Sequence, residues 1–240
     1  MKIALIGYGK MGKAIEEIAL AKGHEISLRT DREGFEIDDL KDTDVAIEFS
    51  TPSTVAENIK KCADAGVPVV VGTTAWYHQF DEMSNYVKSK NSGLFTATNF
   101  SIGVNIFFKI NELAANMIQK YGEYDVEVDE IHHTQKLDAP SGTAITTAEK
   151  LLANFSRKNN WIHHENGLGH TNNAMDLVVN SYREENVPGT HNVKFFSDID
   201  TIEIKHTAHN RKGFAAGALA AAEWMQGKKG IFSMKDLLNF

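Results

Sequence analysis

The chain has 240 residues, 42% of them apolar and 24% charged, which fits a globular protein with room for two small domains. A formal charge of −7 and a pI near 5.8 exclude a broadly basic face for nucleic acid or anionic membrane. No apolar run reaches the roughly 18 residues of a bilayer span, the N-terminal run is too short for a signal-peptide core, and Cys62 is the only cysteine, so a reducing, cytosolic setting is expected.

Residues 2–6 are a short apolar run that ends in G-Y-G-K-M-G: Gly7, Tyr8, Gly9, Lys10, Met11 and Gly12. Met11, Ile15, Ile18 and Lys22 come next at helical spacing, and Gly23 closes the helix. Residues 25–29 read as a second strand, with Asp31 and Arg32 just beyond it. This is a G-x-G-x-x-G element in its required strand, turn and helix setting. The first glycine makes the tight turn, the second lets a pyrophosphate approach, and the third lets helix pack on strand. Asp31 stands where an acid binds a ribose diol. Arg32 could hold a 2′-phosphate, so the pair suggests use of both NADH and NADPH; an exposed loop arginine explains Arg32 equally well.

A third strand is expected at 44–50. Thr51 and Pro52 then read as cap and first position of a helix carrying Val55, Ile59, Cys62 and Ala63, which Gly66 ends. Residues 67–71 form a buried strand leading to Gly72, Thr73 and Thr74; Phe80, Met83 and Val87 mark another helix, and 94–97 a further strand. Strands alternating with helices predict an α/β, Rossmann-like, doubly wound parallel sheet with ligands at the carboxyl ends of its strands. Past Asn99 the pattern changes. Residues 103–119 read as a long helix with the stripe Ile106, Ile110, Leu113 and Met117, and 154–173 as an exposed loop. Strands at 176–183, 191–198 and 201–206 suggest an α+β second domain with an open mixed sheet. A small-residue helix at 214–225 should pack back on the first sheet.

The densest chemistry lies at D-E-I-H-H-T-Q-K-L-D-A-P-S-G-T-A, residues 129–144. Residues 124–131 alternate apolar and acidic, which predicts a half-buried strand, and His132 and His133 sit at its end. Pro140 keeps Ala139 out of helix, and Ser141 is a good N-cap for a helix carrying Ile145, Glu149 and Leu152. The unpaired amides of a helix start at Ser141, Gly142 and Thr143 could hold a carboxylate, while Lys136 adds a positive charge. The histidines add groups that titrate near neutrality. Each piece alone is more often a surface histidine or a capped loop; their crowding argues for anion binding beside proton transfer.

Lined up, these landmarks resemble the 4-hydroxy-tetrahydrodipicolinate reductase (dihydrodipicolinate reductase) family of bacterial lysine biosynthesis. The motifs are G-Y-G-K-M-G, E-F-S-T-P, V-G-T-T, T-N-F-S-I-G-V-N, E-I-H-H-T-Q-K-L-D-A-P-S-G-T-A and K-H-T-A-H-N-R-K-G-F-A-A-G-A-L, in order from end to end. The resemblance implies a nucleotide domain from residues 1–98 and 208–240, a substrate and oligomerisation domain at 99–207, and a homotetramer joined through the central sheets. It implies His132 as acid/base, Lys136 as proton donor, and His133, Gly142 and Thr143 as ligands of a small dicarboxylate. The glycine turn, Asp31, Gly72, Thr73 and Thr74, and the turn of Ala97, Thr98, Asn99 and Phe100 would bind NADH or NADPH. Loss of water from the hydroxylated ring would give a conjugated imine; hydride would add at ring C4, and the enamine so formed would take up a proton. The family pattern has glycine where this chain has Glu185, and often glycine at Ala75.

Two rivals arise from the residues alone. A metal-dependent hydrolase is suggested by ten histidines, including His132-His133 and His163-His164, but the pairs lack the i, i+4 spacing and supporting acids of such sites, so no metal is expected. A nicotinamide-sensing module without catalysis would leave Lys136 and the histidines unexplained.

Overall fold

The computed structural model describes residues 1–167, 171, 173–210 and 212–240. It divides into two compact units, Met1–Ser101 with Lys212–Phe240, and Ile102–Arg211.

In the first unit, β1 (Lys2–Ile6), β2 (Glu25–Thr30), β3 (Val45–Glu48), β4 (Val69–Val71), β5 (Gly93–Thr96) and β11 (Gly230–Ser233) form a six-stranded sheet in the order β11-β5-β4-β3-β1-β2. Every pairing is parallel. Side-chain alternation splits each strand between two cores. Ile3 and Leu5 join Ile47, Val70, Phe95 and Leu219 on one face, while Ala4 and Ile6 join Val69, Val71, Ile59 and Met83 on the other. Helices α1 (Lys10–Ala21) and α6 (Lys212–Met225) contribute Ile15 and Leu219 to the first core. Helices α2 (Val55–Asp64) and α3 (Phe80–Ser89) contribute Ile59 and Met83 to the second.

Both strand faces are therefore buried, as near-continuous apolar strands require. The crossover from β2 to β3, which lies on the far side of β1, creates a topological switch between β1 and β3. Two details differ from expectation. Helix α2 starts at Val55 rather than at Pro52: the Thr54 and Val55 amides both donate to the Thr51 carbonyl, and residues 51–54 form a leading turn held by hydroxyl bonds among Thr51, Ser53 and Thr54. The C-terminal strand β11 and helix α7 (Met234–Leu238), capped by Ser233 with Asp236, have no counterpart among the elements expected from sequence.

Gly217 shows how tightly α6 is seated. A Cβ there would overlap the Phe100 carbonyl oxygen, a backbone atom that cannot step aside. Gly217→Ala should therefore cost about 3 kcal/mol. That is a fall in Tm of roughly 6–12 °C for a chain of this size, read by thermal unfolding. An unchanged Tm would mean that α6 slides freely.

In the second unit, α4 (Ile102–Ile118) and α5 (Gly142–Asn154) share one core with a five-stranded mixed sheet, order β10-β9-β6-β8-β7. Its strands are β6 (Asp125–His132), β7 (Asn160–Glu165), β8 (Asp176–Arg183), β9 (Gly189–Phe196) and β10 (Thr201–Ala208). The parallel pairs are β6 with β8 and β7 with β8; β9 runs antiparallel to β6 and β10. The loop expected at 154–173 is overturned in part, because 160–165 is strand β7; its polar sequence at a sheet edge lacks the alternation that would have marked it. The part of that loop at Leu168, Gly169, His170 and Asn172, and Arg211 of the closing motif, lie outside the described residues.

The helix expected at 103–119 is α4, and its stripe is not the face that packs on the sheet. Ile106, Ile110, Leu113 and Met117 are exposed, Met117 by 67%, and the buried face is Val104, Phe107, Phe108, Asn111, Ala115 and Ile118. The helix is apolar on both faces, so the spacing marks a helix without telling which side packs on the sheet.

Candidate active site

Strand β6 sets up the chemistry by its alternation. Val126, Val128, Glu130 and His132 are buried, while Asp125, Glu127, Asp129 and Ile131 are only half-buried. Glu130 therefore enters the interior with no exposure at all, a position that demands partners. The sheet supplies them by register: Ser181 on β8 and His191 on β9 lie directly across from Glu130. The Ser181 hydroxyl donates to Glu130 Oε1 at 2.7 Å, and the Ser141 amide donates to both carboxylate oxygens at 3.0 and 3.1 Å. His132 Nδ1 lies 3.3 Å and His191 Nε2 3.6 Å from Oε2, and Arg183 Nη1 lies 3.8 Å from Oε1.

Burial alone would push this carboxyl up; the facing imidazoles of His132 and His191 and the hydrogen bonds from Ser141 and Ser181 outweigh it and hold the group far below the usual range. Burial pushes His191 down, which favours its neutral form. Glu130 is the residue that sequence reasoning missed. Its only signal was parity: it stands two residues before His132, on the face that the strand buries.

The loop from His133 to Pro140 is pinned by backbone. The Lys136 amide donates to the His133 carbonyl at 3.0 Å, and Arg183 donates to the carbonyls of Lys136 and Asp138 at 3.4 and 2.8 Å. Lys136 Nζ bonds both oxygens of Asp138 at 2.8 Å, and this ammonium holds the Asp138 carboxyl below its ordinary value. Ser141 caps α5 as expected, its hydroxyl accepting the Ala144 amide at 3.2 Å. Gly142 is exposed, with nothing within 4 Å of where a Cβ would stand, so the helix start is open to a ligand. A cleft of about 560 Å³ is lined by His133, Thr134 and Gln135, the turn 185–188, and His209 and Asn210. His133 lines it directly; His132, Lys136, Ser141, Gly142 and Thr143 do not. Glu185 lines it too, on the turn where Asn186 takes φ 62°.

The absence of a supporting acid, read from sequence, is corrected by the fold. Glu130, His132 and His191 bring ligand atoms within 4.8 Å of one another, a spacing that a metal ion could bridge. Both oxygens of Glu130 already accept protein donors, while His132 Nδ1 is buried without an aligned partner. Metal analysis of the purified protein distinguishes the two uses.

In the first unit the expected nucleotide residues all fall at carboxyl ends of parallel strands. Gly7, with φ 90°, comes directly after β1; its amide and that of Tyr8 donate to the Thr30 carbonyl at 2.8 and 3.0 Å. A Cβ at Gly7 would overlap the Phe49 carbonyl, and one at Gly12 would come within 2.7 Å of the Gly7 oxygen. Gly9 caps α1 with open space where its Cβ would be. The turn is thus closed behind and clear in front, which fits a pyrophosphate on the helix N-terminus. Lys10 is exposed and Met11 half-buried at the helix start, and Tyr8 bonds Glu16, which also pairs with Arg29.

Asp31 and Arg32 are exposed beyond β2. Gly72, Thr73 and Thr74 come after β4, where the Thr73 hydroxyl is buried without a partner and the Thr73 carbonyl accepts the Trp76 indole at 2.8 Å. Ala75 holds φ 63°, the left-handed conformation that glycine adopts without strain. Ala97, Thr98, Asn99 and Phe100 come after β5; Phe100 is buried, Ala97 and Asn99 are half-buried and Thr98 is exposed. Glu48, at the end of β3, is buried; the Ser50 amide and Asn58 donate to its Oε1 at 3.1 Å each, and burial raises its carboxyl.

Comparison with known proteins agrees along the whole chain. Residues 1–100 match the family model for "Dihydrodipicolinate reductase, N-terminus" and residues 103–238 that for "Dihydrodipicolinate reductase, C-terminus". A 4-hydroxy-tetrahydrodipicolinate reductase of Christiangramia forsetii is 46% identical over 241 residues, covering 100% of this chain and 98% of the relative. One from Methanococcus vannielii is 35% identical, covering 98% of this chain and 82% of the relative. The fold is shared with the dipicolinate-bound dihydrodipicolinate reductase of Paenisporosarcina sp. TG-14, at TM-score 0.80 and 22% identity over 98% of both chains. An amine dehydrogenase of Mycobacterium smegmatis shares it more distantly, at TM-score 0.60 and 11% identity over 96% of this chain and 94% of that one.

Proposed function

The chain belongs to the dihydrodipicolinate reductase family and is an NAD(P)H-dependent oxidoreductase; from that premise we propose that it reduces 4-hydroxy-tetrahydrodipicolinate to tetrahydrodipicolinate on the diaminopimelate route to lysine. The observation that carries the reading is the convergence of His132, Glu130 and the Ser141 cap at one end of β6, with Lys136 on the loop between them. A nicotinamide nucleotide held by the glycine turn and the strand-end loops of the first unit would supply the hydride for ring C4. His132 delivers the proton that the reduced ring then needs, with Lys136 as a second donor. His133 and the Gly142 and Thr143 amides hold one ring carboxylate, the Ser141 amide expected to join them being taken up by Glu130, and Lys136 draws the other. Gly7 to Gly12, Asp31, Arg32, Gly72 to Thr74 and Ala97 to Phe100 orient the nucleotide.

Cofactor oxidation with enzymatically made substrate, using NADH and NADPH separately, tests the reading; consumption of neither would sink it. Dual use predicts that Arg32→Ala weakens NADPH more than NADH, because only the former carries the 2′-phosphate. Equal losses in titrations with each nucleotide would show that Arg32 points elsewhere.

A homotetramer built on the second unit is part of the proposal. Its support is surface left uncovered in one chain: the apolar stripe of α4, and exposed Ile202 on edge strand β10. Sedimentation mass in solution checks it. Among the described residues no helix is long and apolar enough to cross a membrane. Cys62 is buried and free, with its thiol pushed up by burial, which is consistent with work in a reducing cytosol.

A further inference from the structure

We infer that Glu130 is a positioning residue that fixes the tautomer and orientation of His132, so that Nε2 is the atom that exchanges protons. The inference rests on the reading of His132 as the acid/base. Its geometric basis is a division of labour between the two carboxylate oxygens. Oε1 is fastened to the scaffold by the Ser181 hydroxyl and the Ser141 amide, and the same amide reaches Oε2. Oε2 is the oxygen that faces the rings of His132 and His191.

His132 Nδ1 is buried and makes no aligned hydrogen bond. The acceptor facing it is Glu130 Oε2, at 3.3 Å and off-line, a contact of the kind that tightens when the ring gains charge. A proton on Nδ1 satisfies that buried nitrogen; a lone pair there would face a carboxylate. The proton-exchanging atom is then Nε2. Its surroundings agree: Nε2 abuts Gly189, where any Cβ would come within 3.0 Å. Glycine at 189 keeps a side chain from pressing on that atom.

The neighbours sharpen the assignment. His191 Nε2 lies 3.1 Å from Ser141 Oγ and 3.6 Å from Glu130 Oε2, so a proton on that nitrogen faces both oxygens. His191 packs edge-on against His132 with centroids 5.1 Å apart, and its lowered pKa makes it a neutral neighbour rather than a second cation. Ser181 gives its only proton to Glu130, so it accepts from His163 Nε2 at 2.9 Å. The charges facing the site are Glu130 on β6, Arg183 on β8, and Asp138, whose carboxyl feels Glu130; His206 on β10 acts on His191 and is itself lowered by burial. A carboxylate that served only to tie β6 to β8 and α5 would not require the second oxygen to face two imidazoles.

The test uses ¹⁵N imidazole NMR on the intact protein together with pH profiles of turnover. In the wild type, neutral His132 should carry its proton on Nδ1. Glu130→Gln can keep its carbonyl on the Ser141 and Ser181 donors while turning its NH2 toward Nδ1, which forces the Nε2–H tautomer. It should lower kcat about tenfold or more, as wrong-tautomer variants of buried carboxylate–histidine pairs do. Loss of the negative charge disfavours the imidazolium, so the alkaline limb of the profile should move to lower pH, with nucleotide affinity unchanged. An Nε2–H tautomer in the wild type, or a Glu130→Gln profile that keeps its wild-type pH limbs, overturns the positioning role. If Glu130→Gln does not fold, the wild-type tautomer decides alone. Near-normal kcat in His132→Gln would instead overturn the acid/base reading, whichever tautomer is found.

Discussion

Replacing His132 with glutamine should lower kcat on the order of a hundredfold or more while altering KM little. Glutamine keeps a polar end of similar reach, so Glu130 retains a donor and the buried cluster survives; what disappears is the imidazole that gives up the proton. A loss confined to kcat is the signature of an interaction needed only in the transition state. Nucleotide affinity, measured by direct titration, should not change, because His132 and the Gly7 turn belong to different units. Near-normal kcat would move the proton donor elsewhere and leave the strand end a packing feature.

Lys136→Ala should lower kcat and raise KM together, since the same ammonium is assigned both a proton and a substrate carboxylate. Loss of a charge-assisted bond is worth about tenfold or more in KM. The structure adds a second contribution. Lys136 rests on Asp138, so its removal leaves an uncompensated carboxylate beside the place assigned to a dianionic substrate. The double variant Lys136→Ala with Asp138→Asn should therefore recover part of the KM loss and none of the kcat loss. Steady-state kinetics of the two variants separates these terms; a full return of kcat in the double variant would show that Lys136 acts only by screening Asp138.

Local patterns carried much of this protein. The glycine turn was legible because a strand, a tight turn and a helix start impose glycines at fixed spacing; Gly7 and Gly12 meet the close backbone contacts, and Gly9 the open approach, that this spacing implies. The Ser141 cap was legible because capping is decided within four residues. Strand β7 was not, since an edge strand with polar residues on both faces carries no period. Nor was the buried face of α4: with apolar residues around most of its circumference, only the sheet beneath it decides that Phe107 and Phe108 go in and Ile110 and Leu113 stay out.

The site divides along the same line. Sequence by itself determined that two histidines, a lysine and a helix start would lie close together, because they are neighbours along sixteen residues of chain. Only the tertiary structure decided which groups surround His132. Ser181 and His191 are some fifty and some sixty residues away in the chain, and they reach Glu130 because parallel and antiparallel pairing with β6 sets them directly opposite it on one face. Strand parity fixes that Glu130 is buried; register, which no local pattern encodes, fixes that it is buried with partners.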